Sequence, residues 1–161
     1  MNKLASLWLD VLPEQIYDRV FGQFFNFICT YLIKSCLRLE DISSDDASYL
    51  HAAFSLLRQC VFEIFSKSQK KFENDSNEDA TIDATIENKI ADFNATKYIK
   101  LWQKFKYLLK VLTANLQEIV DLWSESKGPL ALYFDSEEIR HLIRALFMIT
   151  DKRSAALAKI K

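Results

Sequence analysis

Histidine, cysteine and closely spaced acids are the side chains that could ligate a metal, attack a carbonyl or move a proton in this 161-residue chain. His51 and His141 are the only histidines, fall on different predicted helices, and belong to no HxxxH or CxxC pattern that would gather ligands around zinc. Cys29 and Cys36 stand two helical turns apart on one face, and with Cys60 they make an odd number set among apolar neighbours. That usage suits reduced thiols in a core better than a disulfide framework or thiol chemistry. A nucleophilic serine needs an elbow such as GxSxG and a phosphate cradle needs several glycines, whereas this chain has Gly22 and Gly128 alone. Glu137 and Glu138 could pair for acid–base work, but behind Asp135 they read more simply as the charged first turn of a helix. The expectation is therefore no enzyme, no cofactor and no metal site.

Two basic features remain. Lys97, Lys100, Lys104, Lys106 and Lys110 interleave with Trp102, Phe105 and Tyr107, a pattern that can hold phosphates and stack bases. At helical spacing, however, Trp102 and Phe105 fall on the apolar face and the lysines on the solvated one. A formal net charge of −1 and a pI near 6.1 add no global field to attract a polyanion, so no nucleic acid partner is expected. The second feature is the set Arg140, Arg144, Lys152, Arg153, Lys159 and Lys161 along the last predicted helix and the small-residue tail after it. These six are the candidate partner-binding residues, since small side chains offer a flat helix surface rather than a core. The alternative is a peripheral lipid-surface-binding helical domain, using the 97–110 lysines and the tail cations.

The elements that must position these residues are all helical in period. Pro13, preceded by Asp10 and followed by Glu14, opens a helix predicted to run to about residue 39. Its aromatic and aliphatic residues leave only a thin polar stripe at Gly22, Gln23, Asn26 and Thr30, so it is expected to be covered on most sides. The acid- and serine-rich stretch LEDISSDD forms a turn with Ser43 and Asp46 spaced as a capping box. Leu50, Phe54, Leu57, Val61, Ile64 and Phe65 then repeat at three-and-four spacing in a second helix, and the short connection implies an antiparallel pair. Residues 73–92 carry seven acids and one base and are expected to form an acidic, flexible internal loop, with Ile82, Ile86 and Ile90 spaced for a short docked helix. From Tyr98 to Trp123 an unbroken apolar period predicts a helix about 40 Å long, stopped by Gly128-Pro129. Asp135 and Glu138 then cap the last helix, whose buried face is Ile139, Leu142, Ile143, Leu146 and Phe147.

No segment alternates as a strand does, so the fold class is all-α: an antiparallel bundle of about five helices, forming a single module over 1–161. Half the residues are hydrophobic, enough for a sizeable core. The most apolar window, 20–33, is interrupted by Gly22, Gln23, Asn26 and Thr30, and no membrane span is expected. The start MNKLASLWLDVLPEQ lacks the flank and cleavage pattern of a signal peptide.

Three stretches carry a resemblance. GPLALYFDSEEIRHLIRALFMITDKRSAALAKIK, together with LEDISSDDASYLH and WQKFKYLLKVLTANLQEIVDLW in the same order, resembles the C-terminal region of the zeste-white ten family of kinetochore and endoplasmic-reticulum tethering proteins. The acidic segment at 73–92 departs from that pattern. The resemblance implies the C-terminal module of a helical-rod tethering subunit that acts without catalysis. It implies as partners a Rod-type or Nag-type large helical subunit, Zwilch within the same complex, and dynein–dynactin through the assembled complex. It also implies a role in recruiting spindle-checkpoint proteins and in Golgi-to-reticulum vesicle transport. The implied location is the cytoplasm, with kinetochore and spindle in mitosis and the periphery of the endoplasmic reticulum.

Overall fold

A computed structural model describes residues 2–73 and 84–161, and every regular element among them is helical. In chain order they are α1 (Asn2–Val11), α2 (Glu14–Cys36), α3 (Ser44–Glu73), α4 (Ala84–Tyr98), α5 (Trp102–Thr113), α6 (Leu116–Trp123), a 3₁₀ turn (Pro129–Leu132), α7 (Ser136–Leu146) and α8 (Asp151–Lys159). The all-α expectation holds, but local capping divides the chain more finely than hydrophobic period suggests. The long helix expected to Trp123 breaks at Asn115, whose side-chain oxygen accepts from Glu118 N at 3.0 Å while Glu118 Oε2 accepts from Asn115 N at 2.8 Å. This reciprocal pair satisfies two orphan donors and restarts the helix without disturbing the apolar period. Of the acidic segment, residues 74–83 lie outside the described structure, and residues 84–92 belong to α4.

By its internal contacts the chain divides into two compact units. The first comprises Met1–Cys29 and Leu56–Trp102. Its core is aromatic: Tyr17, Phe21 and Phe25 recur along α2, with Tyr17 and Phe21 centroids 4.6 Å apart and Trp8 meeting Phe21 edge-on at 5.9 Å. Phe65 of α3 stacks on Tyr98 of α4, and fully buried Trp102 donates its indole N–H to Asp92 Oδ1 at 2.8 Å. Such pairs add about 0.5–1.5 kcal/mol each beyond the area they bury.

The thin polar stripe on α2 is partly a packing line. A Cβ at Gly22 would collide with the Cβ and carbonyl of Tyr98, so glycine is required there for close approach. One turn on, Asn26 Oδ1 accepts from Leu101 N at 3.2 Å. Some of the aromatics expected to be covered are left open: Phe24 is exposed and Phe27 is 73% exposed.

The second unit comprises Thr30–Ser55 and Gln103–Lys161. Its core sets Phe54 of α3 against Phe105 of α5 at 5.6 Å and buries Leu108, Leu112, Ile119, Leu130, Ile139, Leu142 and Ile143. α6 ends at Trp123, before Gly128-Pro129, because Ser124, Glu125 and Ser126 all turn left-handed (φ 45°, 53° and 68°). Gly128 N then donates to Trp123 O at 2.9 Å, and a Cβ at Gly128 would strike the carbonyl of Leu122. Glycine serves here for proximity rather than for a positive φ, and Pro129 opens the 3₁₀ turn with its ring at the first position.

Candidate interaction surface

The six candidate cations lie on α7, on α8 and at the chain end. α7 is started by the box read from sequence: Glu138 N donates to Asp135 Oδ1 at 2.8 Å and Asp135 N to Glu138 Oε2 at 3.1 Å. Glu138 also receives Lys104 Nζ of α5 at 2.6 Å, and that ammonium sits 4.7 Å from the Phe134 ring centroid. Tyr107 stacks on Tyr133 at 5.3 Å beside it. One lysine of the interleaved run is therefore spent on anchoring α7 to α5, which weakens the picture of a free cationic stripe.

The tail is a helix of its own. Thr150 caps it, with Oγ1 accepting from Arg153 N at 3.2 Å. The Arg153 guanidinium reaches back to donate to Phe147 O at 2.7 Å and Arg144 O at 3.2 Å, filling carbonyls that the end of α7 leaves unpaired. Arg140 donates to Ile160 O at 3.4 Å and pairs with Glu137 at 3.7 Å, while Ser126 Oγ donates to Lys161 O at 2.7 Å. Ala156 and Ile160 are buried beneath these ties. The candidate set thus divides in two. Arg140 and Arg153 hold the tail down; Arg144, Lys152, Lys159 and Lys161 are exposed. Lys159 and Lys161 border a cavity of about 680 Å³ that also presents Asp121 and Glu125, so the charge there is mixed.

The chemistry candidates take structural places. Burial pushes the Cys29 thiol up to about 12 and that of Cys36 up to about 11, and raises Cys60 with help from Glu63, so none is poised as a thiolate. His141 Nε2 lies 3.0 Å from Leu39 O. Among the described residues no group of His, Cys, Asp or Glu is arranged to hold a metal ion, and no described helix is long and apolar enough to cross a membrane.

A polar cluster in the first unit escaped the sequence reading. Asp18 is 3% exposed, and burial raises its carboxyl to about 6; Ser68 and Lys97 pull the value down, and the Glu14 charge adds to the rise. Burial, then the Asp18 charge, lifts the Tyr17 hydroxyl to about 12. Among the described residues, Tyr17 OH, Asp18 Oδ1 and Ser68 Oγ find no hydrogen-bond partner within bonding geometry. Nothing in YDR or KSQ marks these positions as buried; the folded unit does.

The fold and this surface define an all-helical domain. Residues 1–160 match the family model described as the ZW10 C-terminal helical domain, and the chain belongs to that family. It is 38% identical over its whole length to the centromere/kinetochore protein zw10 homolog of Rattus norvegicus. It is 31% identical over 99% of its length to centromere/kinetochore protein zw10 of Drosophila melanogaster, and 26% identical over 98% to the zw10 homolog of Caenorhabditis elegans. The chain spans 19% of the rat and fly relatives and 18% of the nematode one.

Proposed function

We propose that this chain is a non-catalytic protein-interaction module of a kinetochore complex that helps recruit dynein–dynactin and spindle-checkpoint proteins. The same reading makes it a module of a tethering complex for Golgi-to-reticulum vesicle transport. The observation that carries it is the match of residues 1–160 to the ZW10 C-terminal helical domain, together with relatives named as centromere/kinetochore proteins. The partner is a Rod-type or Nag-type large helical subunit, with Zwilch in the same assembly, and the work is done in the cytoplasm, at kinetochores and at the reticulum periphery. The docking surface is the α7–α8 pair. Arg140 and Arg153 fix α8 in place, and Arg144, Lys152, Lys159 and Lys161 present charge to the partner.

Removing residues 135–161 is a poor test, because Ile139, Leu142 and Ile143 are fully buried and their loss would unfold the second unit. Pull-down of the chain with each large subunit tests the reading directly. Capture of one or both supports it, and capture of neither by a folded chain refutes it.

A further inference from the structure

The turn between α2 and α3 is pinned in place. Ile42 N donates to Ala145 O at 2.9 Å, Leu39 O meets His141, and the Ile42 side chain is buried. Ser43 Oγ accepts from Asp46 N at 3.1 Å, fixing the start of α3. A turn held at both ends leaves a preformed cleft of about 450 Å³, walled by Leu39, Tyr49 and Leu50 over Ile42, whose acidic lining is Asp41 and Asp46. No lysine or arginine lines it. Tyr49 is 75% exposed, and Glu40 and Asp45 stand exposed beside it.

A second cleft, of about 500 Å³, shares Asp41 and Ile42 with the first and extends the apolar surface to Met148 and Ile149. These two side chains are 87% and 84% exposed in the short link between α7 and α8. Arg144 and Arg153 border this second cleft, the latter already committed to carbonyls.

We propose that this face is a second docking site, apart from Lys152, Lys159 and Lys161, that takes an amphipathic helix from a protein partner, with an apolar stripe flanked by lysine or arginine. The apolar side chains supply the helix-in-groove contact, and the acids select the flanking charge. Asp45 and Asp46 lie side by side in the first turn of α3, next to Asp41 across the turn. The same acids disfavour two other occupants. An anionic membrane surface would be repelled. A second copy meeting this face by twofold symmetry would set acid against acid.

Fluorescence anisotropy of the chain with a labelled Leu/Lys amphipathic helix, and with a Leu/Glu helix of the same length, tests the site. The Leu/Lys helix binds, more weakly as salt is raised, and the Leu/Glu helix does not. Tyr49→Ala and Asp41→Lys, both at exposed positions, each weaken binding about tenfold or more. Met148→Asp gives a third, independent loss. Charge reversal at Lys152, Lys159 and Lys161, none of which lines either cleft, leaves this binding unchanged, which separates the site from the tail surface. Failure of the Leu/Lys helix to bind, or binding indifferent to Tyr49→Ala and Asp41→Lys, overturns the proposal.

Discussion

The two units solve the same problem, ordering helices within a small core, by different means. The first relies on bulk: Tyr17, Phe21, Phe25, Phe65 and Trp102 fill it, and it tolerates a buried polar cluster at Tyr17, Asp18 and Ser68. The second relies on corners: Asn115, Asp135 and Thr150 each cap a helix, and Arg140, Arg153 and Ser126 bind the last one down. A unit held by bulk fails when volume is removed, and a unit held by corners fails in increments.

The largest contrast comes from volume. Trp102→Ala removes the largest fully buried side chain and its bond to Asp92, and should cost about 3–5 kcal/mol, measured by denaturant titration. Next is the buried acid. The folded pKa of Asp18, about 6, lies above its ordinary 3.8, so the folded state holds the proton more tightly. Its favourable contribution is complete below pH 3.8 and is lost as pH rises through 6. Asp18→Asn should therefore stabilise the chain by about 1–2 kcal/mol at neutral pH, after allowing for screening by Lys97, and by progressively less toward pH 4. Equal gain at both pH values would sink this account of the first unit.

The corners come next. Asp135→Ala and Asn115→Ala should each cost about 1 kcal/mol, nearly additively if the caps are independent. The smallest effect is at the left-handed turn, where Glu125→Gly relieves a φ of 53° and should raise stability by about 0.5 kcal/mol. A destabilised Glu125→Gly chain would show that the turn is held by contacts rather than strained.

Local chemistry between neighbours in the chain was legible in the sequence where no unbroken apolar period ran across it and a breaker stood nearby. The Asp135–Glu138 box and the apolar face of α7 follow from residues three and four apart. The Asn115–Glu118 box carries the same signal, but an unbroken apolar period across it masks the corner, since a helix can restart in phase. Side-chain fate across the fold was not legible. Gly22 and Asn26 look solvated until Tyr98 and Leu101 meet them, and Phe24 looks buried although it is exposed. Of the six cations, sequence gives the charge and the helix. Which two would be spent on carbonyls depends on how α8 folds back, and that is a tertiary fact.

The proposed function has the exposed cations of α7 and α8 dock a large helical subunit. Its most direct test is the affinity of the chain for the Rod-type subunit, with and without Arg144→Glu, Lys152→Glu, Lys159→Glu and Lys161→Glu combined. All four are exposed, so the helical circular dichroism should be retained. The account predicts tight binding by the parent chain and a loss of about a hundredfold or more on reversal. Equal affinity for the parent and the reversed chain would contradict it.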